Sequence, residues 1–325
     1  MDSLPAFGKS IPQILQPTHN LFLPLLSANS TKINSVKKET FAYGQHERQQ
    51  LDVYTPPSPS TVNGRRAVLM FAYGGGLIHG ARSLPFMNNL MHANIGAFFA
   101  LNAGYTVVVT DYRLMQHGAA FPSGGEDLAL AVEWIIASYE DADLFLMGNS
   151  AGGVHLSTFL LHSSFAETRA KILPGGSSRS RLRGAVLLSV PLSFDIALTL
   201  RPELQQTVAK YFGDDVHGNS PVGLLRQARE KDGVLDVVNG GVRVLVLIGE
   251  LDPEEDILIP RDEFVKEWSL FKGNPSRCAL VTDCMEGQNH ISPPCSLMTE
   301  GERENAWGWQ VISFCDTSRK FQPRG

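Results

Sequence analysis

After about forty weakly patterned residues, the chain settles into a regular alternation of short apolar runs and stretches whose apolar residues recur at helical spacing. The run 51–54 predicts a short strand, closed by Pro56 and Pro57. The runs 66–73 (RAVLMFAY), 105–110 (YTVVVT), 143–147, 184–190 (GAVLLSV), 242–248 (VRVLVLI) and 278–282 are apolar without alternation, as strands buried on both faces are. Between them, 88–102, 125–138, 153–165, 261–271 and 307–314 predict helices; in 125–138, for example, Leu128, Val132, Ile135 and Ile136 share one face. Strands and helices in turn, with strands apolar on both sides, imply an α/β fold with a mostly parallel central sheet flanked by helices. Residues 192–240 interrupt the alternation and are too long for a simple connection. They are expected to form an insertion of short helices over the C-terminal edge of the sheet, where a lid would sit. Residues 1–40 are expected to be a terminal cap, and 41–325 one domain.

Composition narrows the function classes. With 325 residues, 43% hydrophobic, there is material for a large core and no reason to expect disorder. The 28 Lys and Arg against 33 Asp and Glu leave a net charge of −5, which argues against nucleic-acid binding by bulk charge. Arg179, Arg181 and Arg183 form the one basic cluster and read as a solvated loop. No run reaches the roughly 18 apolar residues of a membrane span. The opening MDSLPAFGKSIPQ lacks the basic start and apolar core of a secretory signal, so a cytoplasmic protein with no membrane partner is expected. Cys278, Cys284, Cys295 and Cys315 contain no C-x-x-C pair; reduced thiols and no structural zinc are expected.

The chemistry is concentrated in a few places. Gly148-Asn149-Ser150-Ala151-Gly152 fits G-x-S-x-G between a predicted buried strand and a predicted helix, the context in which a serine sits on a tight turn clear of the sheet. A serine hydroxyl needs a base, and the base an orienting acid. In such a fold the chain order is Ser, acid, His. Of nine histidines only His290, in the loop Glu286-Gly287-Gln288-Asn289-His290, follows the region where the acid belongs. His155, in the helix after the serine, reads as a core residue. The acid belongs just past the strand 242–248, where Glu250 and Asp252 both have the right chemistry; position favours Asp252, because the turn begun at Gly249 must carry a carboxylate outward. Glu254, Glu255 and Asp256 read as first-turn helix carboxylates. A negative oxygen formed in acyl transfer needs preset N–H donors. Ala151 can supply one, and the loop Tyr73-Gly74-Gly75-Gly76 the others. That loop has no G-x-G-x-x-G frame, and neither a phosphate loop of the G-x-x-x-x-G-K-[ST] type nor H-E-x-x-H occurs in the chain.

Taken with YGQHERQQLDVYTPP, YGGGLIHGAR, TDYRL, FPSGGEDLALAVEW, FLMGNSAGGVH, GELDPEEDI and GQNHISP, the chain resembles the α/β-hydrolase superfamily over about residues 41–315. Within it the chain resembles carboxylesterases similar to the hormone-sensitive-lipase-like and feruloyl-esterase-like group, of fungal type. The resemblance implies Ser150 as nucleophile, Asp252 as acid, His290 as base, and Gly74, Gly75 and Ala151 as oxyanion donors. It implies no cofactor or metal, a small-molecule ester as substrate, and a structural turn at Asp111 and Arg113. Tyr73 stands where the family usually has His, and Asn149 where His, Asp or Glu is common. The rival expectations are an amidase of the arylformamidase type, and acyl transfer or cyclisation in secondary metabolism. Phe194, Leu198, Leu200, Leu204 and Tyr211 are expected to roof the site and favour an apolar acyl or aromatic group.

Overall fold

The protein is described by a computed structural model over residues 1–201, 204–232, 235–271 and 280–320. The strands are β1 (Lys37–Ala42), β2 (Gln50–Thr55), β3 (Thr61–Val62), β4 (Arg65–Ala72), β5 (Thr106–Thr110), β6 (Ala142–Asn149), β7 (Arg181–Leu188), β8 (Arg243–Gly249) and β9 (Leu280–Met285). They form one sheet in the order β1-β2-β5-β4-β6-β7-β8-β9, with β3 folded back on β4. From β5 to β9 every neighbouring pair is parallel, while β1 and β2 add an antiparallel edge. The central strands carry the apolar runs because both their faces are covered. Phe71 and Phe145 are wholly buried there, each burial contributing about 2 kcal/mol.

From β4 the chain crosses to β5 on one side, then returns to β6 on the other. The order reverses at that point, so the connections leave a crevice at the carboxyl ends of β4 and β6. The glycine loop follows β4 and Ser150 follows β6, so both candidate segments open into that crevice.

Most predicted elements are present with shifted ends. The helix expected over 88–102 is Ala93–Ala103, since Asn88, Asn89 and His92 have left-handed φ of 52°, 58° and 73°. The helix expected from Gly125 starts at Ser123. Gly124 lies in it and has no room for a side chain: a Cβ there would stand 2.0 Å from His155 Nδ1, where the two helices meet. The helix after Ser150 is Ala151–Leu161, with a separate tight turn at Ser163–Phe165. The last helix is much longer than expected, Glu302–Lys320, with acidic residues in its first turn and basic ones in its last. The last strand lies at Leu280–Met285, and Cys278 lies outside the described residues. Cys284, Cys295 and Cys315 are free thiols.

One expectation is corrected in part. Arg179 is exposed in a bend, as expected, beside Asp141, but Arg181 and Arg183 are not in a solvated loop. Arg181 opens β7, and Arg183 Nε reaches Asp143 Oδ1 at 2.8 Å beside Arg65 at 2.8 Å, with Arg319 on Asp143 Oδ2 at 3.2 Å. Burial alone would raise the Asp143 carboxyl; the hydrogen bonds from Arg65 and Arg183 outweigh it and hold the group below its ordinary value. The first forty residues, expected as a cap, are largely helical. Helix α1 (Ile11–Ala28) buries Ile14, Thr18, His19, Phe22 and Leu26. Residues 192–240 hold the short helices Asp195–Leu200, Gln205–Phe212, Val216–Asn219, Pro221–Asp232 and Asp236–Asn239. Among the described residues no helix is long and apolar enough to cross a membrane.

Candidate active site

Ser150 joins β6 to the helix Ala151–Leu161 with φ 49° and ψ −121°, a conformation that costs a non-glycine residue about 1–3 kcal/mol. The surroundings enforce it. Ser150 N donates to Leu188 O at 3.0 Å, and Gly153 N and Val154 N donate back to Ser150 O at 2.9 and 3.1 Å. The flanking glycines make room: a Cβ on Gly152 would lie 2.3 Å from the carbonyl oxygens of Ala72 and Tyr73, and one on Gly148 2.6 Å from Gly152 O. Asn149 donates its side-chain amide to Leu188 O at 3.1 Å, which ties the turn to β7.

His290, 3% exposed, reaches Ser150 from the loop after β9. Its Nε2 lies 2.9 Å from Ser150 Oγ and its Nδ1 3.1 Å from Asp252 Oδ1. A carboxylate can only accept, so Nδ1 carries the proton and Nε2 presents a lone pair to the serine hydroxyl. Asp252 is wholly buried, and its second oxygen accepts from Ser189 Oγ at 2.7 Å and Gly249 N at 2.6 Å. Glu250 is turned away and accepts the Gly287 N–H at 2.7 Å. Of the two candidate acids, then, Asp252 meets the imidazole and Glu250 braces the loop beneath it. Asn289 shapes that loop, its Oδ1 accepting from Ile291 N at 3.0 Å and Ser292 N at 2.9 Å. Its amide also donates to Thr18 Oγ1 of α1 at 2.9 Å.

The glycine loop faces Ser150. A Cβ on Gly74 would stand 2.9 Å from Ser150 Cβ. Gly75 has φ 151°, and a Cβ there would stand 1.9 Å from His79 O, so only glycine fits. Among the described residues no acceptor takes the backbone N–H of Gly74, Gly75 or Ala151. Tyr73 roots the loop. Its hydroxyl donates to Asp111 Oδ1 at 2.6 Å and accepts from Arg48 Nη2 at 2.6 Å, and its carbonyl accepts from Tyr112 Oη at 2.7 Å. Burial raises the Tyr73 phenol well above its ordinary value and keeps it neutral. Arg82 Nη1 closes the network on Asp111 Oδ2 at 2.6 Å. Arg113 pairs with Asp127 at 2.9 Å. His155 lies in the core, its Nδ1 3.1 Å from Tyr211 Oη, and burial lowers it to about 3.

Ser150 and His290 open into a cavity of about 810 Å³ with mainly apolar walls. Phe194, Leu198 and Leu204 form part of its roof as expected. Two expected roof residues are elsewhere: Leu200 points to solvent at 59% exposure, and Tyr211 is held inward by His155. Three contributions escaped the sequence reading. Helix α1 supplies a wall through Ile11, Leu15 and His19, although Pro17 and Pro24 inside it obscure the helical pattern. His92 lines the cavity beside the glycine loop. Asp256 is a first-turn carboxylate as expected, of the π-type helix Glu254–Leu258, but it also lines the cavity and pairs with Arg201 of the insertion. Among the described residues no group of three or more His, Cys, Asp or Glu side chains is placed to hold a metal ion.

The BD-FAE family model matches residues 51–179, which include the glycine loop and Ser150. No curated protein matches the sequence. Among solved structures, the chain is similar to esterase B from Lactobacillus Rhamnosis (HN001), with a TM-score of 0.63 and 16% identity over 93% of this chain and 96% of that one. It is similar to an esterase from the bacterial hormone-sensitive lipase family, with a TM-score of 0.60 and 15% identity over 94% and 98%. It is also similar to a propionate-bound esterase from the Planctomycetes species Thermogutta terrifontis, with a TM-score of 0.55 and 18% identity over 90% and 98%. The chain has the α/β-hydrolase fold.

Proposed function

We propose that this protein is a serine hydrolase that cleaves carboxylic esters of small molecules bearing an apolar or aromatic group. The observation that carries the reading is the hydrogen-bonded chain from Ser150 through His290 to buried Asp252, at 2.9 and 3.1 Å, at the base of the cavity. His290 Nε2 takes the hydroxyl proton as Ser150 Oγ attacks the ester carbonyl carbon. The imidazolium is stabilised by Asp252, and the new oxyanion by the N–H groups of Gly74, Gly75 and Ala151. Collapse breaks the bond to the leaving oxygen, which receives the proton from His290. Water then adds to the acyl-enzyme through the same base and frees the acid and Ser150. No step calls for a cofactor or metal. The apolar cavity and the esterase names of the similar structures support the substrate class. A role in tailoring fungal secondary metabolites is supported by the sequence resemblance alone.

The test is a fluorophosphonate probe with turnover of short p-nitrophenyl esters, run beside N-formyl aryl amides. Wild type is expected to be labelled and to cleave the esters faster; Ser150→Ala is expected to lose the label and orders of magnitude in turnover. An unlabelled wild type that still cleaves esters would overturn the assignment. Faster cleavage of the formamides would move the activity to the amidase class.

A further inference from the structure

The cavity walls are mainly hydrocarbon, yet besides His290 and the exposed His79 two buried imidazoles reach them from separate segments, His19 from α1 and His92 from the turn before the helix Ala93–Ala103. They are 8% and 2% exposed, so whatever solvates their polar edges comes from the cavity. Both rings are bounded by aromatic faces. His19 lies 5.3 Å from the Phe86 ring, and His92 is stacked on Tyr73 at 5.2 Å and 13°. The two are close enough that charge on His19 disfavours charge on His92. Burial lowers both, His92 to about 4, so both are neutral near pH 7.

Their hydrogen-bond capacity is specific. His92 Nδ1 lies 3.0 Å from Ala81 O. A carbonyl only accepts, so the proton is on Nδ1 and Nε2 is an acceptor. The backbone of Arg82 also lies against the His92 ring; among the described residues no side chain takes its Nε2, and neither ring nitrogen of His19 has a hydrogen-bond partner. A neutral His19 offers one N–H and one lone pair. The pair thus presents a fixed acceptor and an adaptable donor. A hydroxyl suits either ring, donating to His92 Nε2 or accepting from His19. A carboxylate would set lone pairs against lone pairs at His92, and an ammonium would lack bulk water in an apolar wall.

We propose that His19 and His92 form a subsite that reads an uncharged hydroxyl group on an otherwise apolar, ring-sized substrate, so that α1 sets specificity as well as closing the cavity. The kinetic test of this subsite rests on the ester-hydrolase reading. It compares 2-naphthyl acetate and methyl 2-naphthoate with their ring-hydroxylated isomers, which places the hydroxyl on either side of the scissile bond. At least one hydroxylated isomer is expected to show kcat/KM about tenfold above its parent, the worth of one or two neutral hydrogen bonds. His19→Phe is expected to bring that ratio to about one, and His19→Gln, which keeps a donor and an acceptor, to restore part of it, with each variant's fold checked by circular dichroism. The same ratio is read as affinity by calorimetry on Ser150→Ala, which binds without turnover and separates this proposal from the catalytic one. Failed labelling of Ser150 would sink the hydrolase reading and leave the binding ratio to decide the subsite. No hydroxylated isomer bound better than its parent, or a preference that survives His19→Phe, would overturn the proposal.

Discussion

Replacing Asp252 by Asn removes one charge and one acceptor, and the structure dictates how the amide must turn. Oδ2 of Asp252 accepts from both Ser189 Oγ and Gly249 N. An amide NH2 facing the Gly249 N–H would set donor against donor, at a cost of about 1–3 kcal/mol for the unmet backbone group. The amide oxygen therefore stays with Ser189 and Gly249, and the NH2 points at His290 Nδ1. The imidazole can then only accept at Nδ1, so its proton moves to Nε2, the atom 2.9 Å from Ser150 Oγ. A protonated Nε2 cannot take the serine proton. The expected loss is about 10³ to 10⁴ in kcat, with KM little changed. Glu250→Gln is the matched control. Its amide oxygen still accepts the Gly287 N–H, so the expected loss is about tenfold or less. Steady-state kinetics on p-nitrophenyl esters, after circular dichroism shows both variants folded, measure the contrast. A near-normal Asp252→Asn beside an inactive Glu250→Gln would refute the tautomer argument and transfer the acid role to Glu250.

Gly75→Ala is expected to lower kcat about 10²-fold or more in a folded protein, because its Cβ would displace the loop from His79 O; an unchanged kcat would remove Gly75 from the oxyanion donors. Tyr73→Phe leaves Asp111 and Arg48 each short of a partner at a buried site, and is expected to cost about 1–3 kcal/mol in urea unfolding, with a cost near zero counting against the phenol as the loop's anchor. Asp143 is held below its ordinary value in the folded state, so its contribution is present above the unfolded value and is lost as pH falls through the folded one. Asp143→Asn should therefore destabilise at pH 7, and its difference from wild type should shrink as pH drops below about 4; a gap that persists at low pH would refute the linkage.

What the sequence revealed was governed by local rules. The apolar runs of β4, β6, β7 and β8 marked a sheet covered on both faces, and G-x-S-x-G marked the turn at Ser150 because strand, turn and helix are consecutive. His290 followed from chain order alone. Of the two acids, position favoured Asp252 without excluding Glu250, because the difference between them is a matter of direction: Asp252 folds back under Gly249 while Glu250 reaches the Gly287 amide. Arg183, read as part of a loop, shows the same limit. Its partner Asp143 is 40 residues away in sequence, on the neighbouring strand, and charge patterning along one segment gives no sign of it.

The walls of the cavity were the least legible part, and the reason lies in how the site is assembled. Groups that perform the proposed chemistry sit at strand ends, where the sheet fixes their places. Groups that shape the cavity come from elements laid over the sheet, and each is fixed by contacts across long stretches of chain. Helix α1 is the extreme case: Thr18 takes a hydrogen bond from Asn289 across 271 residues, next to His290. Through that bond the helix that presents His19 to the cavity is tied to the loop that presents His290 to Ser150. Displacing α1 would therefore alter the shape of the cavity and the aim of the imidazole together. Thr18→Val, which keeps the shape and removes the acceptor, should lower kcat modestly, by about two- to tenfold, through the loop alone. The substrate preference set by His19 should move much less. Equal effects on both would mean that the helix shifts as a whole, and no effect on either would mean that the Asn289 contacts to Ile291 and Ser292 suffice to hold the loop.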